Sequence, residues 1–272
     1  MRHLPIYPAR SEDGGMALAR RRDLLARRAE ANPRAARRAS DALVVDCVWE
    51  TLRLTGVSVS RENVEQVAAG GVFGADAGQR GRMDPFIGLI RGQLDALNLI
   101  EREAREHPSL SLSFLQEVHR LSSPPSDGAF RRGPVKPQFQ RAAPCRPELI
   151  SDKVSNLLDW LSVASGRAMY PPERSALAFV RLLEISPFAR GNFRCAHLLL
   201  NFFAFVESYP PFFLRFEESE EVRKDIEQAL VFDTFPLVSR LSQALARSLS
   251  FCLDASEQTG GRDADPAPPE DG

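Results

Sequence analysis

Hydrophobic residues recur every three or four positions along most of this chain, which is the spacing of an amphipathic helix. The first helix is predicted over 41–54, where Leu43, Cys47 and Leu54 share a face and Asp41 is placed to cap the helix. The pattern predicts further helices over 85–104, 111–122, 147–163, 171–185, 195–208, 217–232 and 235–253. The chain is therefore expected to fold as an all-α bundle.

One predicted helix differs from the others because its segment 198–206, LLLNFFAFV, is apolar on nearly every face. A helix of this kind is buried at the centre of a bundle. The residues just before it lie at the N-terminus of a buried helix, where unpaired backbone amides and the helix dipole favour anions. Residues 185–194 are therefore the candidate location of a functional site.

Three stretches interrupt the helical pattern. Residues 130–140, FRRGPVKPQFQ, contain two prolines that exclude a helix, and a short hairpin or flap is predicted there. Residues 1–40 are rich in Arg and Ala and are predicted to be a flexible or marginally helical extension, with an arm for nucleic acid or an acidic partner as the functional alternative. Residues 255–272 are predicted to be a disordered acidic tail rich in Pro and Gly. The folded domain is expected over 41–254.

The composition and charge of the chain limit the classes of partner that we expect. The net charge of −1 gives the protein no field to attract nucleic acid or anionic lipid. The four cysteines are scattered without a CxxC pair, so we expect reduced thiols and neither a zinc site nor disulfides. No apolar run reaches membrane-spanning length, and the N-terminus lacks a signal-peptide pattern. A cytoplasmic protein with no nucleic-acid or membrane partner is predicted.

Residues 185–194, just before the central helix, read Ile-Ser-Pro-Phe-Ala-Arg-Gly-Asn-Phe-Arg. This segment resembles the Fic (Fido) family motif, HPFx(D/E)GNGR, and the similarity extends over 41–253 in the order and spacing of the segments. The resemblance implies a Fic-type helical bundle with a small β-hairpin flap. It also implies transfer of a nucleotide to a protein hydroxyl, in which the motif His takes the hydroxyl proton and the acidic residue holds Mg²⁺ against the phosphates.

Several motif positions are changed in ways that remove this chemistry. Ser186 stands at the position of the family's catalytic His, and a serine hydroxyl is not a useful base at neutral pH. Arg190 replaces the acidic residue and cannot ligate a metal, so no Mg²⁺ is expected, although its guanidinium suits a phosphate. Phe193 replaces the second glycine, and its ring either fills the phosphate cradle or turns inward to pack. Phe179, in the preceding helix, stands where the family commonly carries a His.

Other positions keep a rationale for binding phosphate. Gly191 and Asn192 preserve the first half of the Gly-Asn-Gly run, where a missing side chain lets the backbone approach a phosphate. Arg194 matches the first motif arginine, and His197 occupies the place of the second. The resemblance therefore implies a phosphate-binding set formed by these four residues and Arg190, with ATP or another nucleotide as the ligand.

Residues 58–63, SVSREN, match (S/T)xxxE(G/N), an inhibitory motif that one class of Fic proteins carries ahead of the core. The resemblance implies that Ser58, Glu62 and Asn63 are a relic of this motif. Glu62 would then face His197 in a weak, pH-dependent contact. A solvated residue on a helix is the alternative interpretation of Glu62.

Three functional hypotheses follow. The first is a catalytically inactive Fic-like protein that regulates by binding a protein partner and binds a nucleotide weakly or not at all. The second is a divergent protein nucleotidyltransferase, in which Arg190 replaces the metal and Glu62 or His197 supplies the base. The third is an unrelated helical bundle used for interaction, which the absence of a hairpin at 130–140 would support. His119 is expected to pack inside the bundle rather than to catalyse.

Overall fold

The computed structural model describes residues 12–71, 85–107, 109–163 and 169–258, and within these ranges it contains ten α-helices and no β-strand. The all-α class predicted from the sequence is confirmed. The helices in chain order are α1 (Glu12–Ala31), α2 (Pro33–Leu54), α3 (Arg61–Ala68), α4 (Pro85–Glu106), α5 (Leu112–Ser122), α6 (Ile150–Ser162), α7 (Pro171–Ile185), α8 (Asn192–Val206), α9 (Ser219–Ala229) and α10 (Phe235–Gln258).

Helix starts follow the capping residues of the sequence, with one correction. Ser111 caps α5 by accepting a hydrogen bond from the backbone N–H of Phe114 at 3.1 Å, and α7 begins at Pro171, as predicted. The first predicted helix does not begin at Asp41. It begins at Pro33, because the Asn32 side chain already caps that position.

Helix α8 is the central buried helix that its apolar sequence predicts. Its side chains Leu198, Phe202 and Ala204 are fully buried, and it packs against α7 and α4. The one amide within its apolar segment, Asn201, accepts a hydrogen bond from the backbone N–H of Phe212 at 2.7 Å, so this buried polar group is satisfied. The N-terminus of α8 is thereby held in place by the core of the protein.

Residues 12–40 form α1 and the first part of α2, where the sequence predicted a flexible or marginally helical extension over 1–40. Helix α1 packs along α10, with Leu18 buried and the Arg28 guanidinium donating to the carbonyl of Leu253 at 3.1 Å. The apolar face of α1 is thin, and arginine side chains that reach α10 make up for it. The spacing of hydrophobic residues does not predict contacts that arginine side chains make with another helix.

The two ends of the chain are described only in part. Residues 1–11 and 259–272 lie outside the described residues, as does most of the tail expected over 255–272. Helix α10 continues to Gln258, past the domain end expected at residue 254. None of the helices in the described ranges is both long and apolar enough to cross a membrane.

Residues 130–140 do not form the predicted hairpin flap. The backbone N–H of Arg131 donates to the carbonyl of Pro187 at 2.9 Å, and that of Gln140 donates to the Glu227 carboxylate at 2.7 Å. Two prolines within the segment have no N–H to give to a second strand. The segment is therefore an irregular strap that is bound at one end to Pro187 and at the other to α9.

Candidate functional site

Ser186 ends helix α7 and turns its side chain back onto that helix. It adopts the left-handed conformation, with φ 48° and ψ 62°, and its backbone N–H donates to the carbonyl of Leu182 at 2.9 Å. Its hydroxyl donates to the carbonyl of Leu183 at 2.7 Å, and only 4% of the residue is exposed. The hydroxyl at the position of the family's histidine therefore already has a partner within its own helix.

Arg131 braces this turn from the strap. Its Nε donates to the carbonyl of Ser186 at 2.7 Å, and its Nη2 donates to the carbonyl of Cys145 at 2.5 Å. Its backbone N–H holds Pro187 from the other side, as described above. The Arg131 side chain is buried, so these carbonyls share a charged donor where water has little access. The shape of the motif loop thus depends on a residue 55 positions away.

The motif loop, residues 188–192, is closed by the side chain of Asn192. Its Oδ1 accepts from the backbone N–H of Phe188 at 2.9 Å, and its Nδ2 donates to the carbonyl of Phe188 at 2.8 Å. Both polar ends of the amide are thereby used within the loop. Asn192, predicted to bind phosphate, braces the loop instead.

Gly191 is required by its conformation and by its surroundings. It caps the N-terminus of α8 with φ +75°, and no side chain caps the first turn of that helix. A Cβ at this position would lie 2.2 Å from Oγ of Ser123 and 3.2 Å from Nε2 of His119. The absence of a side chain at Gly191 lets the loop after α5 lie directly over the start of α8.

The ring of Phe193 turns inward and packs in the core. It lies edge-on to Phe179 at 5.6 Å between centroids and stacks on His197 at 5.8 Å. Of the two orientations that the sequence left open, the structure has the inward one, and Phe193 does not line the cavity described below. Phe179, at the position where the family commonly has a histidine, serves this core.

His197 lies in the core and not at the phosphate site predicted for it. Its Nε2 accepts from the backbone N–H of Leu214 at 3.1 Å, so Nδ1 carries the proton and donates to Oγ1 of Thr51 at 2.7 Å. Complete burial lowers the pKa of His197 to about 3, so the ring is neutral at physiological pH. A neutral, fully paired imidazole in the core cannot grip a phosphate.

The predicted inhibitory residues do not face His197 either. Glu62 lies exposed in the first turn of α3, where Ser60 caps the helix by accepting from the backbone N–H of Asn63 at 3.2 Å. This helix end lowers the pKa of Glu62, chiefly through its own backbone N–H and the Ser60 hydroxyl. Ser58 is exposed as well. The residue that contacts His197 is Thr51 on α2, so the expected contact between Glu62 and His197 is wrong, and the alternative of a solvated helix residue fits the structure.

A cavity of about 310 Å³ lies over the start of α8, between the motif loop and the loop that follows α5. This volume is at the lower end of those typical of ligand sites. Its lining residues are His119, Ser123, Pro124, Pro125, Ser126, Asp127, Ala129, Ala189, Arg190, Gly191 and Arg194. Of the phosphate-binding set predicted from the sequence, the cavity brings together Arg190, Gly191 and Arg194.

Arg194 is the guanidinium on this cavity wall that has a buried, unpaired nitrogen. Its Nη1 donates to the carbonyl of Ser122 at 3.2 Å, whereas its Nε is buried without a hydrogen-bond partner. No ion pair joins it to a carboxylate of the described residues. Burial lowers the pKa of Arg194, because the charge has lost water without gaining a counter-ion. The Oγ of Ser123, which lies against Gly191, is also buried and unpaired.

His119 lines the same cavity, although its sequence position predicted only packing. It is 3% exposed and its ring stacks on Phe188, with centroids 3.6 Å apart. Its Nε2 donates to the carbonyl of Arg190 at 2.8 Å, and its Nδ1 lies 3.2 Å from Oγ of Ser126. Burial lowers the pKa of His119, with nearby Arg194 acting in the same direction. One edge of the ring is thus packed, as expected, while the other faces the cavity.

Among the described residues, no group of three or more His, Cys, Asp or Glu side chains is placed to hold a metal ion. The guanidinium of Arg190 occupies the position of the family's metal-binding carboxylate. Asp127 is the one carboxylate on the cavity wall, and its Oδ1 accepts from the backbone N–H of Ala129 at 2.9 Å. The donor set of the cavity suits an anion better than Mg²⁺.

Comparisons with known proteins agree with this architecture. The family model of the Fic/DOC family matches residues 109–204. A protein adenylyltransferase fic-1 of Caenorhabditis elegans is 31% identical over 156 residues, which are 56% of this chain and 30% of that protein. Its namesake in Caenorhabditis briggsae is 29% identical over 162 residues, 58% of this chain and 32% of that protein. The chain spans about a third of the length of these curated relatives.

Solved structures show the same fold. A Fic-domain signalling protein of Bacteroides thetaiotaomicron superposes with a TM-score of 0.74 at 20% identity, covering 90% of this chain and 98% of the other. Fic-1 of Caenorhabditis elegans superposes with a TM-score of 0.75 at 23% identity, covering 90% and 72%. The missing hairpin at 130–140 therefore does not mark an unrelated bundle, which removes the third hypothesis. Residues 109–204 belong to a Fic/DOC-family domain, and the helices around them complete a Fic-type fold.

Proposed function

We propose that this protein is a Fic-domain protein that binds a phosphate-bearing ligand at the start of α8 without the family's metal-assisted nucleotide transfer. The observation that carries the proposal is the guanidinium of Arg194. Its Nε is shut off from solvent without a hydrogen-bond partner, and a desolvated charge of this kind is costly unless an anion compensates for it. A phosphate beside the guanidinium would provide the negative charge.

The start of α8 supports the same ligand. No side chain caps its first turn, so its amides point toward the cavity with the positive end of the helix dipole. Arg190 is exposed beside the cavity and adds a second guanidinium. Together these groups favour an anion bound directly by the protein, with ATP or another nucleotide as the candidate.

The environment of Ser186 supports the loss of the family's transfer chemistry. In the family, a histidine at this position takes a proton from the target hydroxyl, which is worth roughly 100- to 10,000-fold in rate. The Ser186 hydroxyl points into α7 and does not line the cavity. Neither Glu62 nor His197, the substitute bases considered above, lies on the cavity wall. This arrangement counts against a divergent nucleotidyltransferase that uses Glu62 or His197 as its base.

A protein partner belongs to the same proposal. The curated relatives are named as protein adenylyltransferases, so they act on proteins. We extend to this chain the association with a protein, and not the transfer. The cytoplasm is the compartment that we propose for it, on the basis of its composition and its unpaired cysteines.

The test is calorimetric binding of ATP with and without Mg²⁺. We expect binding that does not require the metal and that weakens at least tenfold in Arg194→Met, because a charged hydrogen bond is worth about 1.5–3 kcal/mol. Arg132→Met is the matched control, since Arg132 is exposed and does not line the cavity. Wild-type protein incubated with labelled ATP and candidate proteins should transfer no label to those proteins.

Two outcomes would overturn the proposal. Binding that appears only with Mg²⁺ would mean that a metal site exists where Arg190 stands. Transfer of label to another protein would mean that a base acts in place of the missing histidine.

A further inference from the structure

The loop after α5 places a second hydroxyl beside an imidazole, inside the cavity over α8. Oγ of Ser126 lies 3.2 Å from Nδ1 of His119, and both residues line the cavity. Neither belongs to the motif that the Fic resemblance singles out. The pair is separated by only six intervening residues, so the turn after α5 fixes its geometry.

The hydrogen bonds of the pair determine where its protons lie. A carbonyl oxygen can only accept, so the contact of 2.8 Å with the carbonyl of Arg190 places a proton on Nε2 of His119. In the neutral ring, Nδ1 is then an acceptor, and the Ser126 hydroxyl must donate to it. The backbone N–H of Gly128 donates to the same Oγ at 3.1 Å. This is the arrangement in which an imidazole can take a proton from serine.

The surroundings of His119 fix the orientation and the tautomer that a base needs. Stacking on Phe188 fixes its plane, and the carbonyl of Arg190 fixes its tautomer. Burial lowers the pKa of His119, which keeps Nδ1 unprotonated at neutral pH. The N–H of Gly128 is placed to stabilise negative charge on Oγ as the proton leaves.

The cavity around the pair suits an electrophile at phosphorus. Arg190, Arg194 and the uncapped start of α8 supply positive charge in the same cavity as Ser126. We propose that Ser126 is a nucleophile that His119 activates, and that it attacks the phosphorus of a phosphoric anhydride or ester bound in this cavity. The natural ligand of this reaction rests on the proposed phosphate binding, whereas the reactivity of the hydroxyl does not.

The step balances without a metal or a redox partner. The Ser126 Oγ–P bond forms while the P–O bond to the leaving group breaks. The hydroxyl proton passes to Nδ1 of His119 and from there to the oxygen of the leaving group. The product is a phosphoester of Ser126, together with the released phosphate or alcohol.

The test uses a fluorophosphonate probe, whose fluoride leaves phosphorus on attack by serine, with the labelled residue located by peptide mass spectrometry. We expect label on Ser126, none in Ser126→Ala, and labelling at least 100-fold slower in His119→Gln, which is the lower range for loss of a positioned base. Ser113→Ala and His107→Gln are the matched controls, because both residues are exposed and lie outside the cavity. If His119→Gln does not unfold cooperatively, His119→Phe replaces it, because a phenyl ring keeps the stacking on Phe188.

The proposal is overturned if Ser126 stays unlabelled in the wild-type protein, or if its labelling rate does not depend on His119. ATP binding measured on the same samples separates this result from the proposed function. If the protein stays unlabelled but still binds ATP, the proposed phosphate site is supported and the proposed nucleophile is refuted. A labelled protein that does not bind ATP retains the nucleophile and removes the nucleotide as its ligand.

Discussion

The substitution Gly191→Ala tests whether the loop over α8 is as closely packed as the structure indicates. Gly191 has φ +75°, a conformation that costs a residue with a Cβ about 1–2 kcal/mol. The new Cβ would also lie 2.2 Å from Oγ of Ser123, a distance that forces one of the two to move. Overpacking of this kind costs typically about 1–3 kcal/mol. We expect the free energy of unfolding to fall by about 2–5 kcal/mol in all.

The two contributions can be separated in a double-mutant cycle with Ser123→Ala, which removes the nearest atom and leaves the backbone strain. In that background, Gly191→Ala should cost only about 1–2 kcal/mol, so that the coupling between the two positions is at least about 1 kcal/mol. Urea unfolding followed by circular dichroism provides the measurement. Gly133→Ala is the control, since nothing lies within 4 Å of its Cβ position, and it should change stability by less than about 0.5 kcal/mol.

Two results would refute this reasoning. A cost below about 0.5 kcal/mol for Gly191→Ala would mean that neither the left-handed conformation nor the close approach exists. An equal cost in both backgrounds would mean that Ser123 does not lie against the start of α8, and the wall of the cavity would then be wrong.

Three further predictions concern the groups around the motif loop. Burial lowers the pKa of His197 to about 3, so below about pH 6.5 the unfolded chain binds a proton that the folded chain does not. The contribution of His197 to stability should therefore fall by about 1.4 kcal/mol per pH unit between pH 6 and 4. The variant His197→Gln should flatten the slope by that amount in urea titrations at several pH values. Arg131→Met leaves buried carbonyls unpaired and should cost at least about 2 kcal/mol in urea unfolding, whereas exposed Arg132→Met should cost less than about 0.5 kcal/mol. Phe193→Ala should destabilise by about 3–5 kcal/mol in the same assay yet leave ATP affinity unchanged, because the ring fills the core and not the cavity.

The sequence predicted the helical scaffold because apolar spacing and capping residues act locally. Ser111 and Pro171 mark helix starts in the sequence as they do in the structure, and the apolar run of α8 identifies the buried centre. The packing of helix α1 was not predicted, because it depends on arginines that reach another helix. The prediction of a hairpin at 130–140 was wrong because the backbone N–H of Arg131 donates to Pro187, which is distant in the sequence.

The sequence also predicted part of the candidate site, namely the residues whose role depends on the start of α8 itself. Gly191 and Arg194 lie on the cavity as their motif positions predict. His197 does not, because a position one helical turn further along α8 points into the core, where Thr51 and Leu214 use both ring nitrogens. Motif matching gives a residue its position along a helix but not the side chains that reach it from other elements.

The chemistry of individual side chains was determined by the sequence alone: Ser186 and Arg190 stand where the family's reaction needs a base and a carboxylate, and no fold can supply those properties to a hydroxyl or a guanidinium. The tertiary structure decided which groups share the cavity. His119 lies 71 positions before Arg190, Ser126 follows His119 on the next loop, and only the packing of α5 over α8 brings them to Arg190 and Arg194. The physical reason is that proton transfer and anion binding depend on distances of about 3 Å, which a linear pattern does not contain.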